Sequence, residues 1–172
     1  MLKGVNLKKL PILSLIEANF LLNFFAIFLT LFTFFHYYSL GFFLNSITHL
    51  ESYVLSYFGI LNYSYANQIV LAKASFIIVP ECSGLAMCSM LIGLVFSTNF
   101  NNKIKWLLIF CPLLIIFNLL RLFFTIVPGA LYGQNVLDLV HTFLWFVDTG
   151  VVFYLWTLKV ERKDTLKLSG TL

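Results

Sequence analysis

One apolar stretch limits what this chain can fold into more than any other feature. Residues 20–38 contain no aspartate, glutamate, lysine or arginine, and a bilayer core is crossed by about 20 apolar residues in a helix. Only 10% of the chain is charged, whereas soluble domains carry about 25%. Three further apolar runs follow. We therefore predict an all-α integral membrane protein, a bundle of about four transmembrane helices at 20–38, 83–98, 106–127 and 139–158.

The length of the chain predicts one domain. Its 172 residues are a usual domain size, and no internal repeat or linker is visible, so residues 1–172 are interpreted as a single membrane domain. The first apolar run is too long for a signal peptide and lacks a convincing cleavage site, which indicates a retained span. Basic residues are dispersed between the apolar runs, so membrane lipid is an expected partner and nucleic acid is not.

The distribution of basic residues predicts the orientation. Nine lie in the lead-in, in the turn at 99–105 and in the tail 159–172, whereas the two other connecting segments contain only Lys73. The nine are Lys3, Lys8, Lys9, Lys103, Lys105, Lys159, Arg162, Lys163 and Lys167. The positive-inside rule then places both termini in the cytoplasm and the segment 39–82 outside the cell membrane.

The outer-face segment is expected to contain an amphipathic helix and a small β-hairpin. From residue 39 to 58 apolar residues recur at threes and fours, as in a helix that lies on the membrane surface or extends the first span outward. The turn-rich stretch 62–67 leads to two short β-prone runs, 68–71 and 75–79, which we predict to pair. Pro80 is expected to end the second strand. The polar residues that interrupt the helical pattern are Asn45, Thr48, Glu51 and Ser52.

The stretch Pro80-Glu81-Cys82-Ser83-Gly84 places a thiol at the start of the second apolar run. The positive end of a helix dipole favours a thiolate there, and Ser83 is expected to cap the helix. Glu81 acts against this, since a neighbouring carboxylate raises the pKa of a thiol. Cys82 is therefore a candidate nucleophile, with a buried structural cysteine as the alternative.

Two polar residues within apolar runs are expected on the same membrane face as Cys82. Arg121 lies about two turns, roughly 10 Å, before the outer end of the third span. An arginine at this depth is expected to be functional; the alternative is a side chain that reaches outward to the membrane surface. His141 lies in the first turn of the fourth span and can act as acid and base at neutral pH. The alternative for it is an interfacial histidine. We assign structural roles to the two other histidines, His36 in the interface belt and His49 on the polar face of the surface helix.

Three residues are expected to support this site. Asn118 lies on the helical face of Arg121 and is expected to orient it. Asp138 and Asp148 lie on roughly the face of His141, and either is expected to hold its tautomer; Asp148 is alternatively a neutralised packing residue. A thiol, an imidazole and an arginine together predict cysteine acyl transfer. The thiolate attacks a carbonyl, Arg121 holds the oxyanion, His141 protonates the leaving amine, and a second nucleophile resolves the thioester.

The order and spacing of these motifs resemble the exosortase/archaeosortase family. The likeness covers roughly residues 55–150. The motifs that carry it are Gly59-Ile60, Asn67-Gln68-Ile69, Cys82-Ser83-Gly84, Asn118-Leu119-Leu120-Arg121 and His141. Each is short and unspecific alone, but the ordered set is fairly specific. The chain departs from many members in being short, with about four spans, which leaves the subfamily and the substrate motif open.

The resemblance implies an integral-membrane cysteine transpeptidase with Cys82, Arg121 and His141 as catalytic residues. Its partners would be exported proteins with a C-terminal sorting signal: a short motif, a membrane helix and a basic cluster. The enzyme would cleave near the motif and transfer the protein to a surface anchor. The active site would then lie on the extracytoplasmic face of the cell membrane. The acceptor, transfer as against hydrolysis, and the oligomeric state stay open.

Two other function classes remain. A thiol–disulfide or quinone-linked membrane oxidoreductase also needs an outward-facing cysteine, but normally two close pairs. Here Cys88 and Cys111 fall inside apolar runs, and the three cysteines have neither paired nor metal-site spacing, so no cofactor or metal is expected. A non-catalytic membrane assembly factor is the second alternative, with Arg121 and Asp148 as a structural ion pair.

Overall fold

Five α-helices and one small antiparallel sheet form the part of the chain that the computed structural model describes, residues 10–38, 40–98 and 102–169. Side chains are described for 18–38, 40–98 and 102–158. The predicted lead-in up to residue 9, the first three residues of the 99–105 turn and the last three tail residues lie outside the described residues. The elements in chain order are α1 (Leu10–Tyr37), α2 (Gly41–Tyr57), β1 (Asn62–Tyr65), β2 (Gln68–Leu71), β3 (Ser75–Ile77), a 3-10 turn (Pro80–Cys82), α3 (Leu85–Ser97), α4 (Lys103–Tyr132) and α5 (Gln134–Ser169).

Within the described residues, three helices are long and apolar enough to cross a membrane, namely α1, α4 and α5 over Ala18–Tyr37, Lys103–Tyr132 and Gln134–Leu158. The prediction of a mostly helical membrane protein is confirmed. The predicted fourth span is not, because α3 has only 13 residues, about 20 Å of helix against a core of roughly 30 Å. It packs against α1, α4 and α5, so its apolar surface is covered by protein.

The predicted loop between the third and fourth spans is wrong. α4 continues through Pro128 to Tyr132, and Gly133 alone separates it from α5. Gly133 has a φ of +98°, which favours glycine and ends the helix. Pro128, like Pro112, lies inside this helix and removes one intrahelical hydrogen bond, which membrane helices tolerate. A side chain at Gly129 would meet Leu137 at 2.6 Å, so this glycine lets the two helices cross closely.

The sheet has three strands in the order β1-β2-β3, all antiparallel. The two predicted strands are present as β2 and β3, although β3 ends at Ile77, before Pro80. The stretch predicted as a turn, 62–67, instead contains β1. Its alternation of exposed and half-buried residues reflects packing of one face of the strand against α2, which no local pattern in the sequence shows.

A hydrophobic cluster joins the sheet and α2 to the adjoining ends of α4 and α5. We call this end of the helix bundle the sheet end. Its fully buried members are Leu55, Ile69, Ile78, Leu122, Ile126 and Leu137. Cys82 belongs to the same cluster. The sheet therefore fixes the position of the segment that carries this cysteine.

The helix predicted on the membrane surface is present as α2, but its polar residues are not all on an exposed face. Thr48 and Glu51 are buried, at 0% and 3% exposure. Thr48 donates a hydrogen bond to the carbonyl of Leu44, whereas Oε2 of Glu51 has no partner among the described residues. Burial raises the pKa of Glu51 to about 7. The prediction of a polar outer face is therefore wrong at these two positions.

Glu51→Gln is expected to remove a pH dependence of stability. Since the pKa is about 7 in the fold and about 4.3 in an unfolded chain, the folded state holds a proton in this window that the unfolded state has lost. Stability therefore falls as pH rises from about 5 to 8, by roughly 3 kcal/mol at most. Melting temperatures in detergent micelles at pH 5 and pH 8 should converge in the variant; an unchanged difference would contradict the account.

Candidate functional site

Cys82 is the last residue of the 3-10 turn that joins the sheet to α3. Pro80 opens this turn, and the N–H of Cys82 donates to the carbonyl of Val79 at 2.8 Å. The predicted cap is wrong: the hydroxyl of Ser83 donates back to the carbonyl of Pro80, and Gly84 is the N-cap residue. Cys82 thus lies at the mouth of α3, as predicted, and is 4% exposed.

Gly84 permits the close approach that links Cys82 to α4. Its φ is +84°, and a Cβ at this position would lie 3.2 Å from Cβ of Asn118 and 3.3 Å from Cα of Ile115. Because the backbone passes so near to α4, the amide of Asn118 donates to the carbonyl of Cys82 at 2.6 Å. The start of α3 is therefore tied to the helix that carries Arg121.

The structure brings Cys82, His141 and Arg121 together. Sγ of Cys82 lies 3.7 Å from Nε2 of His141, and Nη2 of Arg121 lies 3.3 Å from Nδ1 of the same ring. A guanidinium can only donate, so we assign Nδ1 as the acceptor and place the proton of the neutral ring on Nε2. The ring thus presents an N–H to the thiol, while Arg121 lies behind it.

Arg121 is held on three sides. Besides His141, it contacts Oδ1 of Asn118 at 3.4 Å, as predicted, and its Nε lies 3.2 Å from Oδ2 of Asp148. It is 4% exposed and lies 11 residues before Tyr132, the end of α4, or about 16 Å along the helix. The predicted depth was too small, and a side chain reaching outward to the surface does not fit this burial.

The two aspartates differ from the prediction that either holds the tautomer of His141. Asp138 accepts a hydrogen bond from Gln134 at 2.9 Å, and Asp148 pairs with Arg121. Arg121 is the side chain that contacts Nδ1. His141 also lies in the second turn of α5, not the first, because α5 begins at Gln134.

A cleft of about 550 Å³ opens beside Cys82 and His141. Its lining residues are Val79, Glu81, Cys82, His141, Thr142, Trp145, Phe146 and Thr149. A second cavity of about 190 Å³ shares Glu81, Trp145 and Thr149 with it and extends between α1 and α5 over α3. Arg121 lines neither cavity. A bound molecule in the cleft therefore meets the thiol and the imidazole, with Arg121 behind them.

The sequence was compared with known families, curated proteins and solved structures. A profile of the transmembrane exosortase family matches residues 12–158. The chain belongs to the transmembrane exosortase family. The resemblance inferred from the ordered motifs is thereby confirmed. The comparisons with curated proteins and with solved structures gave no match.

The region matched to the exosortase family contains a side-chain contact that sequence reasoning missed. Nδ1 of His36, on α1, lies 2.5 Å from Oε1 of Glu81. The two residues are 45 positions apart, so no local pattern relates them, and His36 was interpreted only as an interfacial residue. The pair fixes the carboxylate of Glu81 at the edge of both cavities, next to Cys82.

Charges around the thiol of this exosortase-family chain act in opposite directions. Burial raises the pKa of the Cys82 thiol, and the positive charge of Arg121 acts against that increase. Glu81 and Asp148 raise the pKa further. Within the described residues, no group of three or more histidine, cysteine, aspartate or glutamate side chains is arranged to hold a metal ion.

Glu81→Gln is expected to make Cys82 react roughly threefold faster with iodoacetamide at pH 7, because one charge that raises the thiol pKa is removed. Mass spectrometry would follow alkylation in a background where Cys88 and Cys111 are alanine. His36→Gln, which removes the imidazole that contacts Glu81 and keeps the carboxylate, is the matched control and should give no increase. An unchanged rate in Glu81→Gln would contradict this role of the carboxylate.

Proposed function

We propose that this exosortase-family protein is a membrane cysteine transpeptidase. It cleaves the C-terminal sorting signal of exported proteins through a thioester on Cys82 and transfers them to a surface anchor. The observation that carries the proposal is the 3.7 Å contact between the thiol of Cys82 and Nε2 of His141 at an open cleft. The charge distribution supports a site on the extracytoplasmic face, with both termini in the cytoplasm.

The contacts around the imidazole assign the proton movements. Once the Cys82 thiol has lost its proton to water in the cleft, the thiolate attacks the carbonyl carbon of the scissile bond and forms the carbon–sulfur bond. As the carbon–nitrogen bond breaks, His141 gives the proton on Nε2 to the leaving nitrogen and takes up the thiol proton from the water in the cleft, so the ring stays neutral. When the second nucleophile attacks the thioester, its proton passes through water in the cleft to the sulfur as the carbon–sulfur bond breaks, which frees the thiol group.

Arg121 acts through His141 in this scheme. Its guanidinium is buried, donates to Nδ1 and does not line the cleft, which argues against the predicted direct contact with the oxyanion. Its positive charge instead offsets the negative charge on the sulfur of Cys82. Arg121 is therefore a positioning residue, and Asn118 and Asp148 hold it in place.

The shape of the two cavities suits a substrate that is a peptide continuing into an apolar helix. The cleft of about 550 Å³ holds the nucleophile, and the second cavity continues from it along α3, between Phe28 and Phe32 of α1 and Val152 of α5. A chain entering at the sheet end can thus pass Cys82 and continue along an apolar path. This is the arrangement that a motif followed by a membrane helix needs.

A non-catalytic assembly factor is a second candidate, favoured by one observation. The buried ion pair between Arg121 and Asp148 is the structural contact that such a protein was predicted to contain. The oxidoreductase alternative has less support, because all three cysteines are free and Cys88 contacts the backbone of Cys111 at 3.5 Å. Among the described residues, the side-chain contact of the Cys82 thiol is with Nε2 of His141 and not with another thiol.

The proposal is tested by replacing the nucleophile. Cells carrying Cys82→Ala should accumulate exported proteins that keep their C-terminal apolar helix, because no thioester can form. Mass spectrometry of membrane proteins would detect the retained C-terminal peptides, and Cys88→Ala, which removes a buried thiol outside both cavities, is the matched control. Equal C-terminal processing in Cys82→Ala and wild type would contradict the proposal.

A further inference from the structure

The outer edge of β3 leads directly into the cleft. β3 is the last strand in the sheet order β1-β2-β3, so it pairs with β2 on one side only. Two residues after its end at Ile77, the chain reaches Val79, which lines the cleft. Cys82 follows three residues later. The free edge of the sheet and the candidate nucleophile are therefore parts of one short segment.

Hydrogen bonds on both sides of β3 show which of its backbone groups face away from β2. The carbonyl of Ala74 accepts from Leu71, and the N–H of Ile78 donates to Asn67, each at 2.8 Å. Along a strand, the backbone N–H and C=O groups of successive residues point alternately to one side and to the other. The even-numbered residues of β3 therefore bond to β2, and the N–H and C=O of the odd-numbered Ile77 point to the free edge.

One contact closes this edge at its far end and leaves it open near the cleft. The N–H of Ser75, also odd-numbered, donates to Oε1 of Gln134 at the start of α5. The side chain of Ile77 is 53% exposed, and the N–H of Val79 has no acceptor among the described residues. The open part of the edge is therefore the stretch from Ile77 to Val79.

Packing fixes this open edge relative to the imidazole. The ring of Phe76 meets the ring of His141 edge to face, with centroids 5.3 Å apart. Phe76 is itself buried and paired with Ile69 of β2. The sheet thus sets the distance between the edge and the reacting atoms.

We infer that the edge of β3 from Ile77 to Val79 binds the substrate peptide as an added fourth strand next to its scissile bond. The inference rests on the proposed function. A peptide in the cleft must satisfy its own N–H and C=O groups, and an open strand edge offers them partners at regular spacing. An extended peptide bound to this edge lies alongside β3, and because β3 leads to Cys82, the peptide extends to the thiol. The occupant is the stretch of the exported protein that adjoins its apolar helix.

Ile77→Pro tests this edge without removing a bond to β2. Proline removes the outward N–H and is tolerated at strand edges. The expected result is a half-time of C-terminal processing about fivefold longer than in wild type, the effect of losing a typical hydrogen bond. Pulse–chase labelling of the exported proteins that accumulate in Cys82→Ala gives this rate. Ile77→Val, which keeps the N–H, should process at the wild-type rate.

A second proline gives the matched control on the opposite edge. By the same alternation, Tyr63 and Tyr65 bond to β2 and Ser64 faces away from it. Ser64→Pro therefore places proline at an equivalent edge position of the same sheet, remote from the cleft, and should leave processing near the wild-type rate. Equal slowing in Ser64→Pro and Ile77→Pro would overturn the inference, because the loss would then come from the sheet as a whole.

The remaining outcomes separate this inference from the proposed function. If Ile77→Pro processes at the wild-type rate while processing is blocked in Cys82→Ala, the inference that the β3 edge binds the peptide is overturned and the proposed function is kept. No effect of Cys82→Ala would overturn the proposed function and the edge with it. A photo-crosslinking phenylalanine analogue at position 77 gives a readout independent of proline: linkage to the unprocessed exported protein supports the inference, and linkage only to a second copy of this chain overturns it.

Discussion

Arg121→Met is expected to destabilise the protein by roughly 3–5 kcal/mol, the usual effect of breaking a buried ion pair by removing one partner. Asp148 is 7% exposed and would keep its carboxylate with no opposite charge, since Arg121 is its ion-pair partner. The contacts of the guanidinium with Asn118 and His141 would also be lost. Unfolding in detergent micelles, followed by circular dichroism, measures this difference.

A double variant separates stability from processing. Arg121→Met with Asp148→Leu removes both charges and replaces them by apolar groups, so most of the lost stability should return. C-terminal processing should be lost in Arg121→Met and also in the double variant, because Nδ1 of His141 lacks its donor in both. Restored stability together with restored processing would contradict the role of Arg121 and favour the assembly-factor alternative, in which the ion pair is only structural.

His141→Gln is expected to slow processing about 10²- to 10⁴-fold, the range for loss of a general acid or base. Glutamine retains a polar end near the thiol, but it does not transfer a proton at neutral pH. Stability should change little, because His141 is only partly buried. The measurement is the pulse–chase rate of C-terminal processing, with the melting temperature measured on the same preparation.

His49→Gln is the matched control for this variant. His49 lies on α2 and contacts the hydroxyl of Ser64 at 3.4 Å, and it lines neither of the two cavities at Cys82. Processing in His49→Gln should equal that of wild type. If His141→Gln also processes at the wild-type rate, the imidazole has no part in the reaction.

That Cys82, Arg121 and His141 lie close together could be predicted, because it follows from the order of the apolar runs. Residues that begin or end neighbouring antiparallel spans lie at one end of a bundle, whatever the details of packing. Their catalytic roles stay a prediction. The role suggested for Arg121 needed the structure, because only the packing of α4 against α5 shows that the guanidinium lies behind the ring.

The features that could not be predicted depend on long-range packing. The pair of His36 and Glu81 joins residues 45 positions apart. β1 forms in a polar stretch because β2 lies beside it. The burial of Glu51 likewise depends on what covers α2. The uninterrupted end of α4 was missed because Pro128 usually ends a helix, whereas here Gly133 does so one turn later.

The central claim is that the thiol of Cys82 forms a thioester with a cleaved exported protein. Membranes from cells carrying the wild-type chain would be treated with hydroxylamine, which cleaves thioesters, and the released proteins identified by mass spectrometry. The account predicts release of exported proteins that end at a new C-terminus and lack their apolar helix, and no such release from Cys82→Ala. Release that is the same in both, or absent from wild-type membranes in which the exported proteins are processed, would contradict it.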